Sequence, residues 1–356
     1  MSIRSRSLPL LLFSLTALLG ILLPVVAALG ACGSVAARPA VGRSVYPVSA
    51  GPPVAVGDDT VTMLPRGRVA FPVVRRLIDT ARQRVDVEMY EFGRADLAGA
   101  LVRARRRGVS VTVIADPSVP ATLATAAHLR AAGVAVTDYP VRRQMIDHVK
   151  LVVVDGASAV VGGVNWGAGS EVNHDFDALV RGPAASNLER VFLQDLATSG
   201  VAVAVPPARV DAAVVVATTL PDTGIHPLAL ELVDGAHSTL DLELFVLTDA
   251  AIVHALEHAH ARGVRVRLLL DPEQRPSDAS AAMLRAAGVD VRLYRGSGEK
   301  LHAKAAVADG RRILFGSANW TAGGFQRNHE LDVELDSAAV ASTMLDAMRA
   351  DWDAAA

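Results

Sequence analysis

The chain has 356 residues, room for two domains of ordinary size, and a single cysteine, which excludes an intramolecular disulfide. It is 51% apolar and 4% aromatic, the composition of a globular protein rather than a disordered one. The formal net charge of −2 leaves no global basic field to hold a polyanion, so a nucleic acid is disfavoured as substrate unless a local basic cleft receives it.

In chain order, Arg4 and Arg6 precede an apolar run from Leu8 to Leu29, which predicts a signal peptide over residues 1–31. The run also suits an uncleaved spanning helix. Leu29-Gly30-Ala31-Cys32 resembles the lipobox of bacterial lipoproteins, in which the cysteine is lipidated and becomes the new N-terminus. That resemblance implies lipidation at Cys32 and an exported protein, anchored to the outer face of a bacterial membrane or secreted. Residues 33–57 are rich in Ala, Pro, Gly and Val without helical or strand period, so 32–57 reads as the lipidated cysteine and a flexible spacer.

Strand and helix signals then alternate. Val61–Leu64 predicts a strand, Pro72–Arg82 a helix, and Val85–Tyr90 a strand with Val85, Val87 and Met89 on one face. Asp96–Arg107 reads as a helix stopped by Gly108, Val109–Ala115 as a strand, Ala121–Ala132 as a helix ended by Gly133, and Val134–Thr137 as a strand. His148–Val154 and Ala159–Val161 are apolar strands joined by a turn at Asp155-Gly156. The same order repeats and ends with a helix over Ser337–Asp351. Gly200 and Pro206-Pro207 interrupt the pattern, which predicts lobes at 58–205 and 206–356. The expected fold class is α/β: two similar lobes, each a mixed β-sheet flanked by helices.

The repeat is literal in places. Leu129 to Val134 recurs letter for letter as Leu284 to Val289, and Val85-Asp86-Val87-Glu88-Met89-Tyr90 recurs as Leu240-Asp241-Leu242-Glu243-Leu244-Phe245. A register of about 155 residues is the size of a domain, not of a solenoid repeat. Within it, His148-x-Lys150, Asp155 and Gly162-Gly163-x-Asn165 match His302-x-Lys304, Asp309 and Gly316-Ser317-x-Asn319 at identical spacing.

Two residues apart on a strand, His148 and Lys150 leave the same face, as do His302 and Lys304. Such pairs on apolar strands need a compensating anion or a solvent-lined cleft. The glycine turns let backbone approach an anion, and Asn165 and Asn319 can donate amide hydrogens. A phosphate between two such sets meets two ammoniums and two amides, which stabilises a pentacoordinate transition state. One neutral imidazole can attack phosphorus while a second, protonated one gives its proton to the leaving oxygen. Asp175 and Glu330, each after an Asn-His pair, are the candidates to orient the rings.

The doubled H-x-K-x4-D-x6-G-(G/S)-x-N pattern resembles the phospholipase D superfamily over essentially all the chain after the spacer. The resemblance implies a pseudo-twofold pair of lobes with one active site at their interface, a phosphohistidine intermediate, and no metal or other cofactor. It implies His148 as nucleophile, His302 as general acid, Lys150, Lys304, Asn165, Asn319 and Ser317 as phosphate ligands, and Asp155 and Asp309 as structural. Gly163 departs from the pattern, since it lacks the hydroxyl of Ser317. The function expected is hydrolysis of a glycerophospholipid to phosphatidic acid and free head group, or exchange of that head group with an alcohol. The alternatives are a metal-independent endonuclease, a cardiolipin-synthase-like transferase and an inactive envelope-binding lipoprotein.

Other residues read more plainly. Trp166 and Trp320 line a pocket or pack beside the motif turn. Arg103, Arg105, Arg106 and Arg107 form a solvated helix end. His254, His258 and His260 have metal-like spacing but no further ligand nearby, which favours surface histidines. Asp86, Glu88, Asp241 and Glu243 lie opposite the apolar face of their strands, where they rim the cleft or face water.

Overall fold

The computed structural model describes residues 49–296 and 298–355; the expected signal peptide, Cys32 and most of the expected spacer lie outside them. No helix among the described residues is long and apolar enough to cross a membrane.

The first half opens with a hairpin of β1 (Val54–Val56) and β2 (Asp59–Pro65), turning at Gly57, whose φ of 58° suits a residue without a Cβ. This corrects the expectation of a spacer through Gly57. Val56 is buried among residues of both halves, and that burial draws the end of the segment into the sheet. Helix α1 (Gly67–Thr80) begins upstream of the expected start and holds Pro72 inside it. Ala70 and Phe71 extend its buried face of Val74 and Ile78 toward the N-terminus, which offsets the one hydrogen bond the proline forgoes.

Next come β3 (Arg84–Met89), α2 (Ala95–Arg106), β4 (Ser110–Ala115), α3 (Pro120–Ala131) and β5 (Ala135–Asp138), with β3, β4 and β5 parallel. The chain returns antiparallel through β6 (Lys150–Val154) and β7 (Ser158–Gly162). It leaves the sheet at the two-residue β8 (Asn173–His174), then re-enters as β9 (Phe176–Arg181) between β7 and β2. Helix α4 (Pro183–Thr198) follows. The eight strands run β1-β2-β9-β7-β6-β3-β4-β5.

The second half repeats this. It has β10 (Val214–Thr218), α5 (Ile225–Asp234), β11 (Thr239–Leu244), α6 (Ala250–Ala261), β12 (Arg265–Leu270), α7 (Asp278–Ala286) and β13 (Asp290–Leu293). Then follow β14 (Lys300–Leu301), β15 (Lys304–Ala308), β16 (Arg312–Gly316), the short α8 (Ala322–Gln326), β17 (Leu331–Asp336) and α9 (Ala338–Ala354). Its seven strands run β10-β17-β16-β15-β11-β12-β13, the first sheet's order without β1. The fold is thus two similar mixed sheets flanked by helices.

Each half has an outer apolar core of its own, and a third core lies between the sheets. Alternation along β6 and the residue before it divides them between these cores: Val149, Leu151 and Val153 enter the shared core, Val152 and Val154 the outer one. Ala303, Ala305 and Val307 do the same from the other half, and α4 and α9 supply Leu188, Phe192, Met344 and Trp352.

Asp155 and Asp309 sit in the β6–β7 and β15–β16 turns at positive φ, 53° and 51°. The Asp155 carboxylate accepts the backbone N–H groups of Arg82, Gln83 and Arg84 at 2.7–3.2 Å, and Asp309 those of His237, Ser238 and Thr239 at 2.8–3.0 Å. These bonds outweigh partial burial and hold both carboxyls below their usual range, Asp309 at about 2. Asp155→Ala should therefore lower stability by about 1–2 kcal/mol in urea unfolding, with kcat per folded molecule unchanged. The contribution is complete above the ordinary carboxylate range and fades as pH falls through the depressed value.

Candidate active site

The halves exchange backbone where the motif begins. β8 pairs parallel with β14, placing His174 opposite Leu301, and an equivalent bridge joins Asp147 to His329. Consequently the His302 N–H donates to the carbonyl of His174, and the His148 N–H to that of His329, each at 2.8 Å. Both motif histidines thus lie just ahead of β6 and β15, and the expected strand His148–Val154 starts at Lys150. The side chains cross as well. His148 Nδ1 lies 2.7 Å from Glu330 Oε2, and His302 Nδ1 lies 2.9 Å from Asp175 Oδ1. Each imidazole is oriented by the other half's carboxylate, so neither half holds a complete site.

Lys150 and Lys304 are buried beside these rings. Lys150 Nζ donates to the His148 carbonyl at 2.6 Å; Lys304 Nζ donates to the His302 carbonyl and lies 3.1 Å from His302 Nε2. Gly162 and Gly316 press on the following strand: a Cβ there would stand 2.4 Å from the Phe176 carbonyl and 2.5 Å from that of Leu331. The buried Asp177 and Asp332 accept the N–H groups of Val164 and Ala318 and set the loops carrying Asn165 and Asn319. Both asparagine Oδ1 atoms are buried without a hydrogen-bond partner.

The serine-for-glycine difference breaks the symmetry. Ser317 Oγ donates to Glu330 Oε2 at 2.6 Å and accepts the Leu331 N–H at 3.0 Å. A Cβ on Gly163 would fall 2.5 Å from Asp175 Oδ1. Gly163 thus goes with the short Asp175, and Ser317 with the longer Glu330. Gly163→Ser alone should reduce kcat/KM by more than about tenfold, and adding Asp175→Glu should recover part of the loss; a double-mutant cycle with no coupling would contradict this pairing.

Electrostatics follow from burial among cations. Burial, reinforced by Lys150 and Lys304, holds the His148 imidazolium well below its usual range. Burial also depresses His302, to about 4, with Asp175 opposing it. Lys150 falls to about 7 and Lys304 to about 8, chiefly through burial and only partly restored by Glu330 and Asp175 respectively. Burial lifts Glu330 to about 7 against Lys150 and Ser317. Asp175 is equally buried, yet His302 and Lys304 hold it below its usual value. Two buried ammoniums, both held below their usual range, gain from an anion.

Sequence reasoning missed several residues here. Tyr90 meets the His148 ring edge-on at 4.7 Å and Phe245 the His302 ring at 4.9 Å. Lys300 Nζ stands 4.4 Å over the Phe245 ring. The duplication signals the first pair, since Tyr90 and Phe245 end its matched strands. Asp86, Glu88, Asp241 and Glu243 correct the expectation of cleft-rimming or water-facing acids. All four are buried, because α4 and α9 cover that face: Glu88 meets Asp195 of α4, and Glu243 meets His174 beside Asp351 of α9. Trp166 and Trp320 pack in the outer cores. Arg103, Arg105, Arg106 and Arg107 are exposed, and His254 pairs with Glu257 at 3.0 Å.

A family model described as "Cardiolipin synthase, PLD-like domain" matches residues 74–196 and again 229–352. Mitochondrial cardiolipin hydrolase of Xenopus laevis is 39% identical over 110 residues, which cover 31% of this chain and 51% of that protein. Cardiolipin synthase A of Pseudomonas putida (strain W619) is 28% identical over 340 residues, 82% of this chain and 68% of that one. The chain thus spans about half the length of the first relative and about two thirds of the second. Among solved structures, phosphatidylserine synthase of Haemophilus influenzae Rd KW20 aligns over 84% of this chain and 87% of its own, with TM-score 0.61 at 13% identity. Polyphosphate kinase from Porphyromonas gingivalis aligns over 84% and 50%, with TM-score 0.59 at 14% identity. These two likenesses concern the fold.

Proposed function

Since the chain belongs to the phospholipase D-like domain family, we propose that it cleaves the distal phosphodiester bond of a glycerophospholipid through a phosphohistidine on His148. The crossed imidazole–carboxylate pairs support this reading, because each ring, beside a buried lysine, is held by a carboxylate of the other half, as a site shared by one phosphate requires. With Nδ1 of His148 committed to Glu330, Nε2 is the atom that attacks phosphorus. The bond from phosphorus to the head-group oxygen breaks, and that oxygen takes a proton from His302. Water or an alcohol then attacks phosphorus, the phosphorus–nitrogen bond breaks, and the acceptor's proton returns to His302.

The carboxylates support this division of labour. Asp175, held ionised, stabilises an imidazolium on His302, the acid; Glu330, lifted to about 7, supports His148 less as a cation and leaves it neutral for attack. The incoming phosphate adds the negative charge that lets His302 bind its proton.

Hydrolysis releases phosphatidic acid and head group; a lipid hydroxyl as acceptor makes the same chemistry a transfer. The extended match to a protein named cardiolipin synthase A supports that second outcome. Full-length protein given phosphatidylglycerol vesicles and, separately, plasmid DNA distinguishes the readings. Phosphatidic acid with glycerol indicates hydrolysis, cardiolipin with glycerol indicates transfer, and nicked plasmid without lipid turnover would overturn the lipid reading. The apolar run Leu8–Leu29 followed by Cys32 supports an exported, lipid-tethered enzyme; loss of fatty-acid labelling in Cys32→Ala tests it.

A further inference from the structure

Behind the two motif histidines lie two buried clusters related by the duplication. In one, His174 reaches Glu243 of β11 (2.7 Å) and Asp351 of α9 (3.1 Å). In the other, His329 reaches Asp195 of α4 (2.9 Å) and Glu88 of β3 (3.8 Å). Tyr294 and Tyr139 stack on the respective rings.

The clusters differ at two positions whose equivalence the backbone fixes. The Arg66 N–H donates to the Asp175 carbonyl as the Thr219 N–H does to that of Glu330, so Thr219 occupies the place of Arg66. Leu301 pairs with His174 as Asp147 pairs with His329, so Asp147 occupies the place of Leu301. Arg66 neutralises the first cluster, bonding Asp351 and Glu299 at 3.0 Å each. Thr219 supplies no charge, and its hydroxyl is turned away to the Asn328 carbonyl. The second cluster therefore lacks the cation that meets Asp351 and has the additional carboxylate of Asp147.

Polar atoms there are also unpaired. Both carboxylate oxygens of Glu88, Oδ2 of Asp147 and Nδ1 of His329 are buried without a hydrogen bond, while His329 Nε2 meets Asp195 Oδ2 at 2.9 Å. His329 is 0% exposed and turned into the acids. Ligand atoms of Glu88, Asp147 and His329 lie within 4.8 Å of one another. A cavity of about 320 Å³ reaches Asp195 past Tyr139 and Pro221, and its Arg142 and Arg327 form no ion pair with the cluster among the described residues.

We propose that Glu88, Asp147 and His329, with Asp195 beside them, bind one divalent metal ion that serves in place of Arg66. Carboxylates with an imidazole suit zinc or manganese better than calcium or magnesium. The ion joins β3 and α4 of the first half to the second half through His329, whose carbonyl holds the His148 N–H. Its role is to fasten the halves, separate from the phosphoryl chemistry.

The test uses the untagged full chain, stripped with a chelator and titrated with zinc or manganese alone. The expected result is one ion bound per chain and a melting temperature raised by about 5 °C at a hundredfold excess over Kd. Asp147→Leu, which copies the opposite cluster, and Glu88→Gln should each lose that ion, whereas Glu243→Gln should keep it. A wild-type chain that binds neither metal and shows no thermal shift overturns the proposal, as does stoichiometry unchanged in both Asp147→Leu and Glu88→Gln. Should Asp147→Leu fail to fold, the wild-type stoichiometry and Glu88→Gln decide.

Discussion

Replacing His148 by Asn should abolish the covalent phosphoenzyme altogether, while His302→Asn should let it accumulate. Both changes should cut steady-state turnover by at least about 10³-fold, but for different reasons. Without His148 no nitrogen reaches phosphorus. Without His302 the nucleophile remains, and a substrate with a good leaving group needs no acid to depart. The intermediate then waits, because no base activates water. Rapid quench with a phosphorus-labelled substrate separates the two. An acid-labile label that persists in His148→Asn, or is absent from His302→Asn, reverses the roles. The asymmetry of Asp175 and Glu330 makes this direction specific, since only the ring beside the ionised aspartate is prepared to carry a proton.

Anion affinity should collapse as pH rises through 7 to 8. Burial holds Lys150 near 7 and Lys304 near 8, so above that range both ammoniums lose their protons. A bound phosphate analogue raises both values, so binding takes up protons. Affinity is greatest below about 7 and falls above 8 by about tenfold per pH unit for each lysine that must be recharged. Calorimetry of tungstate binding in buffers of different ionisation enthalpy measures that uptake directly. Lys150→Met should remove one proton from it and weaken binding at pH 6; affinity independent of pH between 6 and 9 would contradict the account. The linkage for folding has the opposite sense: without a ligand, the depressed lysines make the native state gain stability as pH rises from 8 toward 10.

Much of this architecture is legible in the sequence because residues that carry chemistry recur in register. His148 with Lys150 and His302 with Lys304 stand out against apolar strands, and the alternating elements between copies imply the sheets. The exchange between halves is not legible. Asp175 lies 27 residues after His148 and looks like its partner, yet orients His302. Only the crossing of β8 to β14, two residues long and without a pattern of its own, decides that. The acids on β3 and β11 mislead for a related reason: strand alternation says which face they occupy, not that α4 and α9 will cover it. β1 is too short to announce itself beside Gly51 and Pro53, and Pro72 hides the true start of α1.

The central claim is that both imidazoles serve one phosphorus atom across the interface of the halves. A crystal structure with tungstate tests it most directly. The account predicts a single oxyanion touching His148 Nε2, His302 Nε2, Lys150 and Lys304 together. Two anions in separate pockets, one per half, would contradict it.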